Sequence, residues 1–202
     1  MNSKDLFNQL YRSKTGQSYS RSLFDFFLKI VRPRLSGSDL KILELGSGNY
    51  SLFEDVLDLN AEITAIDISS IAIESAISSK INYQEINILD SKHFAVAKYD
   101  LIFDSHCLNC IESDDERSIA FKNIYSSVKS GGFFASEIMV RPESGFVSMP
   151  FKMIKSSHQI ELELIYHGFK IQYFLISNEI SFSTLVGGEE IKCDVLRIIA
   201  KK

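Results

Sequence analysis

Tryptophan is absent from this chain of 202 residues, and proline and cysteine occur three times each. So little proline excludes collagen-like and proline-rich recognition segments. Three cysteines cannot staple a small secreted scaffold, and their odd number suits a reducing compartment, so a cytoplasmic location is expected. Long apolar runs are missing as well. No window approaches the roughly 18 uninterrupted apolar residues of a spanning helix, so no membrane partner is expected. The opening MNSKDLFNQLYRSK breaks its apolar positions with charge every few residues, unlike a secretory leader. Nor is there an excess of positive charge. A net −4, from 22 basic and 26 acidic residues, argues against a nucleic-acid binder.

What is present is ordinary globular material, 45% hydrophobic and 24% charged, of a length that suits one domain. The charge is unevenly spread. Residues 1–41 hold 8 Lys and Arg against 3 acids, a net +5, and the remainder is net −9. Such a leading segment either complements the acidic body or meets an acidic substrate.

From residue 41 onward, short β-branched runs alternate with amphipathic stretches. Strands are expected at Lys41–Ser47, Glu62–Ile68, Ile81–Ile88, Tyr99–Ser105 and in GFFASEIMV after Gly131-Gly132. Helices are expected after Ser51, with Glu54 completing a capping box, after Ser69 or Ser70, from Ser113 to about Lys129, and from about Ser157 to Gly168. Lys170–Ser177 and Ile191–Ala200 read as two more strands with no helical face between them, hence an antiparallel hairpin. The fold class is therefore α/β, a doubly wound, mostly parallel seven-stranded sheet ending in an antiparallel hairpin. Residues 1–40 read as a helical lead-in ended near Pro33 and Gly37, and residues 41–202 as the globular unit.

The first strand and its turn, Ile42-Leu-Glu-Leu-Gly-Ser-Gly-Asn49, form the strongest motif. Gly46 and Gly48 allow a sharp turn and close approach to a ligand. Asp67 ends the next strand about 20 residues later, where a carboxylate can accept from both ribose hydroxyls. This much supports any nucleoside-containing cofactor. A dinucleotide fingerprint wants a third glycine where Ser51 stands, and Glu44 beside the turn would repel a pyrophosphate. The terminal hairpin also does not belong to the usual dinucleotide sheet.

The chain here resembles the class I S-adenosylmethionine-dependent methyltransferases. LELGSG resembles the family's acid-x-Gly-x-Gly motif, and AIDIS its ribose-binding strand end. YDLIFDSHCLNCI and KSGGFFASEI resemble the fourth-strand motif and the segment leading into the fifth. The resemblance covers residues 41–140. It implies S-adenosylmethionine as cofactor, bound through Glu44, Gly46, Gly48, Asp67, Ile68, Asn87, Ile88 and Asp104, with no metal. Tyr50 stands where the family often has a third glycine, and Asn87 where it has an aspartate near the adenine; Asp90 is the alternative for that role.

His106, just past the fourth strand, is the candidate base for an acceptor that carries a proton. Cys107 and Cys110 form a C-x-x-C with no second ligand pair and read as packing groups. His93, His158 and His167 read as surface or capping groups. The acceptor pocket is expected from the lead-in (Tyr11, Tyr19, Arg21) and from the loop after the fifth strand (Arg141, Phe146, Met149, Phe151, Met153). The expected activity is methyl transfer to a small-molecule or peptide acceptor, with an anionic one favoured by the basic lead-in. The alternatives are an NAD(P)-binding oxidoreductase and a non-catalytic nucleoside-binding scaffold.

Overall fold

Seven strands form one sheet in the computed structural model, which describes residues 3–13, 19–94, 96–111, 113–142, 154–183 and 190–202. They are β1 (Leu40–Leu45), β2 (Ala61–Asp67), β3 (Ile81–Glu85), β4 (Tyr99–Ser105), β5 (Val128–Val140), β6 (Lys170–Ser183) and β7 (Glu190–Lys201). Their order is β3-β2-β1-β4-β5-β7-β6. β1 to β5 run parallel, and β7 lies antiparallel to both β5 and β6. The sheet is thus the doubly wound one expected, with the terminal hairpin on its edge.

Strands covered on both faces read as unbroken apolar runs, and β4 shows why. Leu101, Ile102 and Phe103 are all fully buried, yet successive side chains point to opposite faces. Ile102 joins a core with Phe121 and Ile124 of α4 (Asp114–Ser127) and Ile160 and Leu164 of α5 (Ser157–Tyr166). Leu101 and Phe103 join a second core closed by α2 (Arg21–Phe26) and the π-helical turn Phe27–Val31. There Leu23, Phe26, Phe27 and Val31 are buried, and the Phe27 ring meets Phe53 edge-on at 4.9 Å and Phe103 at 5.7 Å. Each such side chain contributes about 1.5–3 kcal/mol by leaving water. The lead-in therefore supplies part of a core.

Caps follow the sequence in most places. Ser69 accepts from the Ala72 N–H to start α3 (Ser70–Ser75), and Ser113 from the Glu116 N–H to start α4. Ser156 and Gln159 form a reciprocal capping box on α5. Arg117 of α4 is buried and bidentate on Glu163 of α5, at 2.9 and 2.7 Å, which ties the two helices together.

Three expectations differ. The box at Ser51 opens only a 3-10 turn, Leu52–Asp55. The Tyr83 phenol intercepts it, accepting the Ser51 N–H at 2.7 Å and donating to Glu54 at 3.1 Å. Gly131-Gly132 does not end α4, which stops at Ser127. The pair sits inside β5, where the register against β4 jumps from Tyr99↔Val128 to Leu101↔Phe133. β3 ends at Glu85, so Asn87 and Ile88 lie in the turn beyond it.

Candidate active site

The strand order reverses between β1 and β4, and ligands in open α/β sheets bind beyond the carboxyl ends of the strands at such a point. A cavity of about 660 Å³ lies there. Its wall takes Gly46 from the turn after β1, Asp67 and Ile68 from the end of β2 and just beyond, Glu85 to Asp90 from the end of β3 and its turn, and Ser105, His106 and Cys107 from the end of β4 and its turn. Its roof is α1 (Ser3–Ser13), which contributes Ser3, Lys4, Phe7, Leu10 and Tyr11. Lys4 pairs with Glu85, and the Asn8 side-chain oxygen accepts from the Ser69 hydroxyl at 2.7 Å.

The turn after β1 needs glycine at both positions. Gly46 has φ +70° and Gly48 φ +60°, the left-handed region where a side chain is strained. A Cβ on Gly46 would come within 2.7 Å of the Cys107 Cβ, and one on Gly48 would collide with the Tyr11 hydroxyl. Tyr11 thus lies directly on the turn, and burial pushes its phenol up, with the Asp67 charge adding to the effect.

Asp67 is only 8% exposed. Its Oδ2 accepts the Gly48 N–H at 3.0 Å and its Oδ1 the Ser69 N–H at 2.8 Å, which fixes the carboxylate at the cavity edge. Burial raises its pKa, against the pull of these N–H donors. Each oxygen keeps lone-pair capacity for a further donor, as a ribose hydroxyl would be. Asn87 and Asp90 both reach the wall. The Asn87 side-chain oxygen accepts the Leu89 N–H at 3.0 Å, and Asp90 pairs with Lys92 at 2.9 Å.

Glu44, Gly48 and Asp104, three of the expected cofactor contacts, are not among the cavity-lining residues. Glu44 is buried behind the turn, where it accepts from Ser51, from Ser105 at 2.9 Å and from the Leu52 N–H at 3.3 Å. Desolvation pushes its carboxyl up to about 7 despite those donors. Asp104 is fully buried and accepts from Ser136 at 2.7 Å, the Cys107 N–H at 2.9 Å and the Leu108 N–H at 3.2 Å. Both carboxylates hold together the loops that shape the rim.

His106 stands on the wall in a left-handed conformation, φ +64°, unusual for a side chain larger than glycine. Its Nε2 lies 3.4 Å from Glu137 Oε1 on β5, and both ring nitrogens are shielded from solvent. Glu137 faces Arg197 across the β5–β7 ladder, with Arg197 Nε donating at 2.7 Å. Ser22 in the first turn of α2 donates to Glu137 at 3.1 Å, and Arg197 also donates to Ser22 and, at 2.9 Å, to Ser177. Burial favours a neutral Glu137, but His106 and Arg197 outweigh it and hold the carboxyl below its usual range.

The remaining acceptor candidates disperse. Tyr19 bonds to Asp55 and stacks on Phe24, Arg21 pairs with Asp25 at 3.2 Å, and Arg141 donates to the Ile154 carbonyl at 3.2 Å. None of these three lines the cavity. Phe146, Met149, Phe151 and Met153 lie outside the described residues. The basic lead-in does not converge on the site either. Among the described residues the wall carries Asp67, Glu85, Asp90 and Glu116 against the single lysine Lys4. Sequence reasoning also missed Glu137 and Arg197, each a lone charge within an apolar strand run. Cys107 and Cys110 line the cavity as free thiols, and burial raises both. Among the described residues no cluster of three or more His, Cys, Asp or Glu forms a metal site. No described helix is long and apolar enough to cross a membrane.

An open sheet with a glycine turn at its switch point and a strand-end carboxylate one strand away is the arrangement in which Rossmann-like domains hold nucleoside-bearing cofactors. A family model described as a methyltransferase domain matches residues 43–134, the stretch that contains Glu44, Gly46, Gly48, Asp67, Asn87 and Asp104. No curated protein matches the sequence. A SAM-dependent methyltransferase from Methanosarcina mazei superposes with a TM-score of 0.67 at 18% identity, over 86% of this chain and 97% of its own. Phosphoethanolamine N-methyltransferase 2 from Haemonchus contortus, solved with phosphomonomethylethanolamine and S-adenosylhomocysteine, gives 0.70 at 15% identity, over 98% of this chain and 56% of its own. The [4+2]-cyclase SpnF gives 0.68 at 14% identity, over 98% and 92%. The likeness to these structures is one of fold.

Residues 43–134 thus match a methyltransferase domain, and the sheet that carries them has the fold of solved S-adenosylmethionine-dependent methyltransferases.

Proposed function

We propose that the chain methylates a small-molecule acceptor whose attacking atom carries a proton, within the cavity roofed by α1. The observation that carries this reading is the cavity itself. Its volume of about 660 Å³ falls in the usual range of small-molecule sites, about 300–1,000 Å³, and a helix lies across it. Its excess of carboxylates supports a neutral or cationic acceptor rather than the anionic one suggested by the basic lead-in.

The bound cofactor supplies an activated methyl group on a sulfonium. The chain holds and orients. Asp67 accepts from the ribose, Asn87 or Asp90 meets the adenine, and the Gly46–Gly48 turn admits the methionine end. Alignment of this kind contributes on the order of 7–11 kcal/mol to lowering a barrier. α1 excludes water, and His106 takes the acceptor's proton.

Calorimetry with S-adenosylhomocysteine and NADH tests the cofactor assignment, and labelled methyl transfer to panels of amines, phenols and thiols tests the acceptor. Tight NADH binding without S-adenosylhomocysteine binding would refute the methyltransferase reading. The fold is shared with a protein named for a cyclisation. Cofactor binding with no transfer across all panels would therefore favour a role without methyl transfer.

A further inference from the structure

Glu137, Arg197, Ser22 and Ser177 form a hydrogen-bonded polar cluster beside His106, outside the expected cofactor contacts. Glu137 is 1% exposed in the middle of a strand that otherwise needs apolar side chains. A buried carboxylate persists only where charge and hydrogen bonds compensate it, and here the compensation is complete. Oε2 accepts from Arg197 Nε and from the Ser22 hydroxyl, which leaves Oε1 directed at His106 Nε2, 3.4 Å away. Arg197 is itself fixed by Ser177 and Ser22, so its plane cannot turn away. The charged groups around His106 are Glu137 on β5, Arg197 behind it on β7, and Asp104 on β4, whose charge also couples to the ring. Because Arg197 supplies the compensating charge, Glu137 reaches His106 as an acceptor within a balanced pair rather than as a lone negative charge.

We propose that Glu137, clamped by Arg197 and Ser22, is a positioning residue that fixes the tautomer of His106. This rests on the reading of the cavity as a methyl-transfer site with His106 as its base. With the Nε2–H directed at Glu137, the ring keeps its lone pair on Nδ1. The ring nitrogens are shielded from water, so the low local dielectric strengthens the hold. The device also explains why His106 tolerates φ +64°: a carboxylate anchored on two strands and a helix holds the ring while the backbone turns sharply out of β4.

Ring-nitrogen correlation NMR on the full ¹⁵N-labelled chain tests this, with the His106 signal identified by its loss in H106N. In alkaline buffer the wild type is expected to show the Nε2–H tautomer alone. In E137Q, whose amide donates as well as accepts, a mixture of tautomers is expected. The double variant E137Q/R197M removes the uncompensated guanidinium that could unfold E137Q, and should give the same mixture. Binding of S-adenosylhomocysteine, followed by calorimetry, should stay within about threefold of wild type in both variants. A wild-type ring protonated on Nδ1, or a tautomer unchanged in both variants, overturns the proposal. So does loss of S-adenosylhomocysteine binding in the folded variants, since Glu137 would then serve the cofactor. If the wild type itself fails to bind S-adenosylhomocysteine, the methyl-transfer reading falls instead.

Discussion

Replacing Gly46 with alanine tests the glycine turn on the cavity wall. Two costs are built into the geometry. At φ +70° an L side chain is strained by about 1–2 kcal/mol. The new methyl would stand 2.7 Å from the Cys107 Cβ, where no real carbon sits, and overpacking of this kind costs about 1–3 kcal/mol. Together G46A should lose about 2–5 kcal/mol, a large part of the roughly 5–15 kcal/mol that holds a domain folded. The two terms separate in a double-mutant cycle, because C107G removes the atom that is struck but leaves the backbone strain. In the C107G background, G46A should cost only about 1–2 kcal/mol. Urea unfolding followed by circular dichroism reads all four corners of the cycle. Equal costs in both backgrounds would show that the collision is not real, and a total under about 1 kcal/mol would show that the turn is not left-handed at Gly46.

Two further outcomes follow from the buried carboxylates. D67N should weaken S-adenosylhomocysteine binding about 10- to 100-fold by calorimetry, since a hydrogen bond to a charged group contributes about 1.5–3 kcal/mol; unchanged affinity would place the ribose elsewhere. Glu44 has its carboxyl raised by burial from 4.5 to about 7, so the folded chain keeps a proton that the unfolded chain releases. Its contribution therefore falls as pH rises from 4.5 to about 7, and the penalty, on the order of 3 kcal/mol, is complete above that window. The Tm of the wild type should drop between pH 5 and 8 more steeply than that of E44Q, and parallel profiles would contradict the assignment.

The strands were legible because burial on both faces leaves an unbroken apolar run, and β4 falls at Tyr99–Ser105 as its sequence reads. The helix expected after Ser51 was not, because what replaces its capping bond is Tyr83, a residue 32 positions away. Gly131-Gly132 looked like a helix stop, but glycine also suits a bulge, and only the partner strand decides between them. That Gly46, Asp67 and Asn87 reach the cavity wall was readable, because their positions depend on their own strand ends. The Glu137 cluster was not. Glu137 and Arg197 are adjacent only because β7 returns antiparallel beside β5, and a register over 60 residues leaves no local spacing to read. Arg21 and Tyr19 were placed by nearness in sequence, and Asp25 and Asp55 hold them instead.

The lead-in belongs at once to the site and to the interior. Ser3 to Tyr11 wall the cavity, Ser22 braces Glu137, and Leu23, Phe26, Phe27 and Val31 close the core on one side of the sheet. A segment that merely chose a substrate could be exchanged between relatives like an interchangeable tool head. This one cannot be exchanged alone, because a transplanted lead-in arrives with four core side chains that must fit Phe53 and Phe103 before any acceptor is met. Changes of acceptor preference in such a chain are therefore constrained to travel with repacking of its interior.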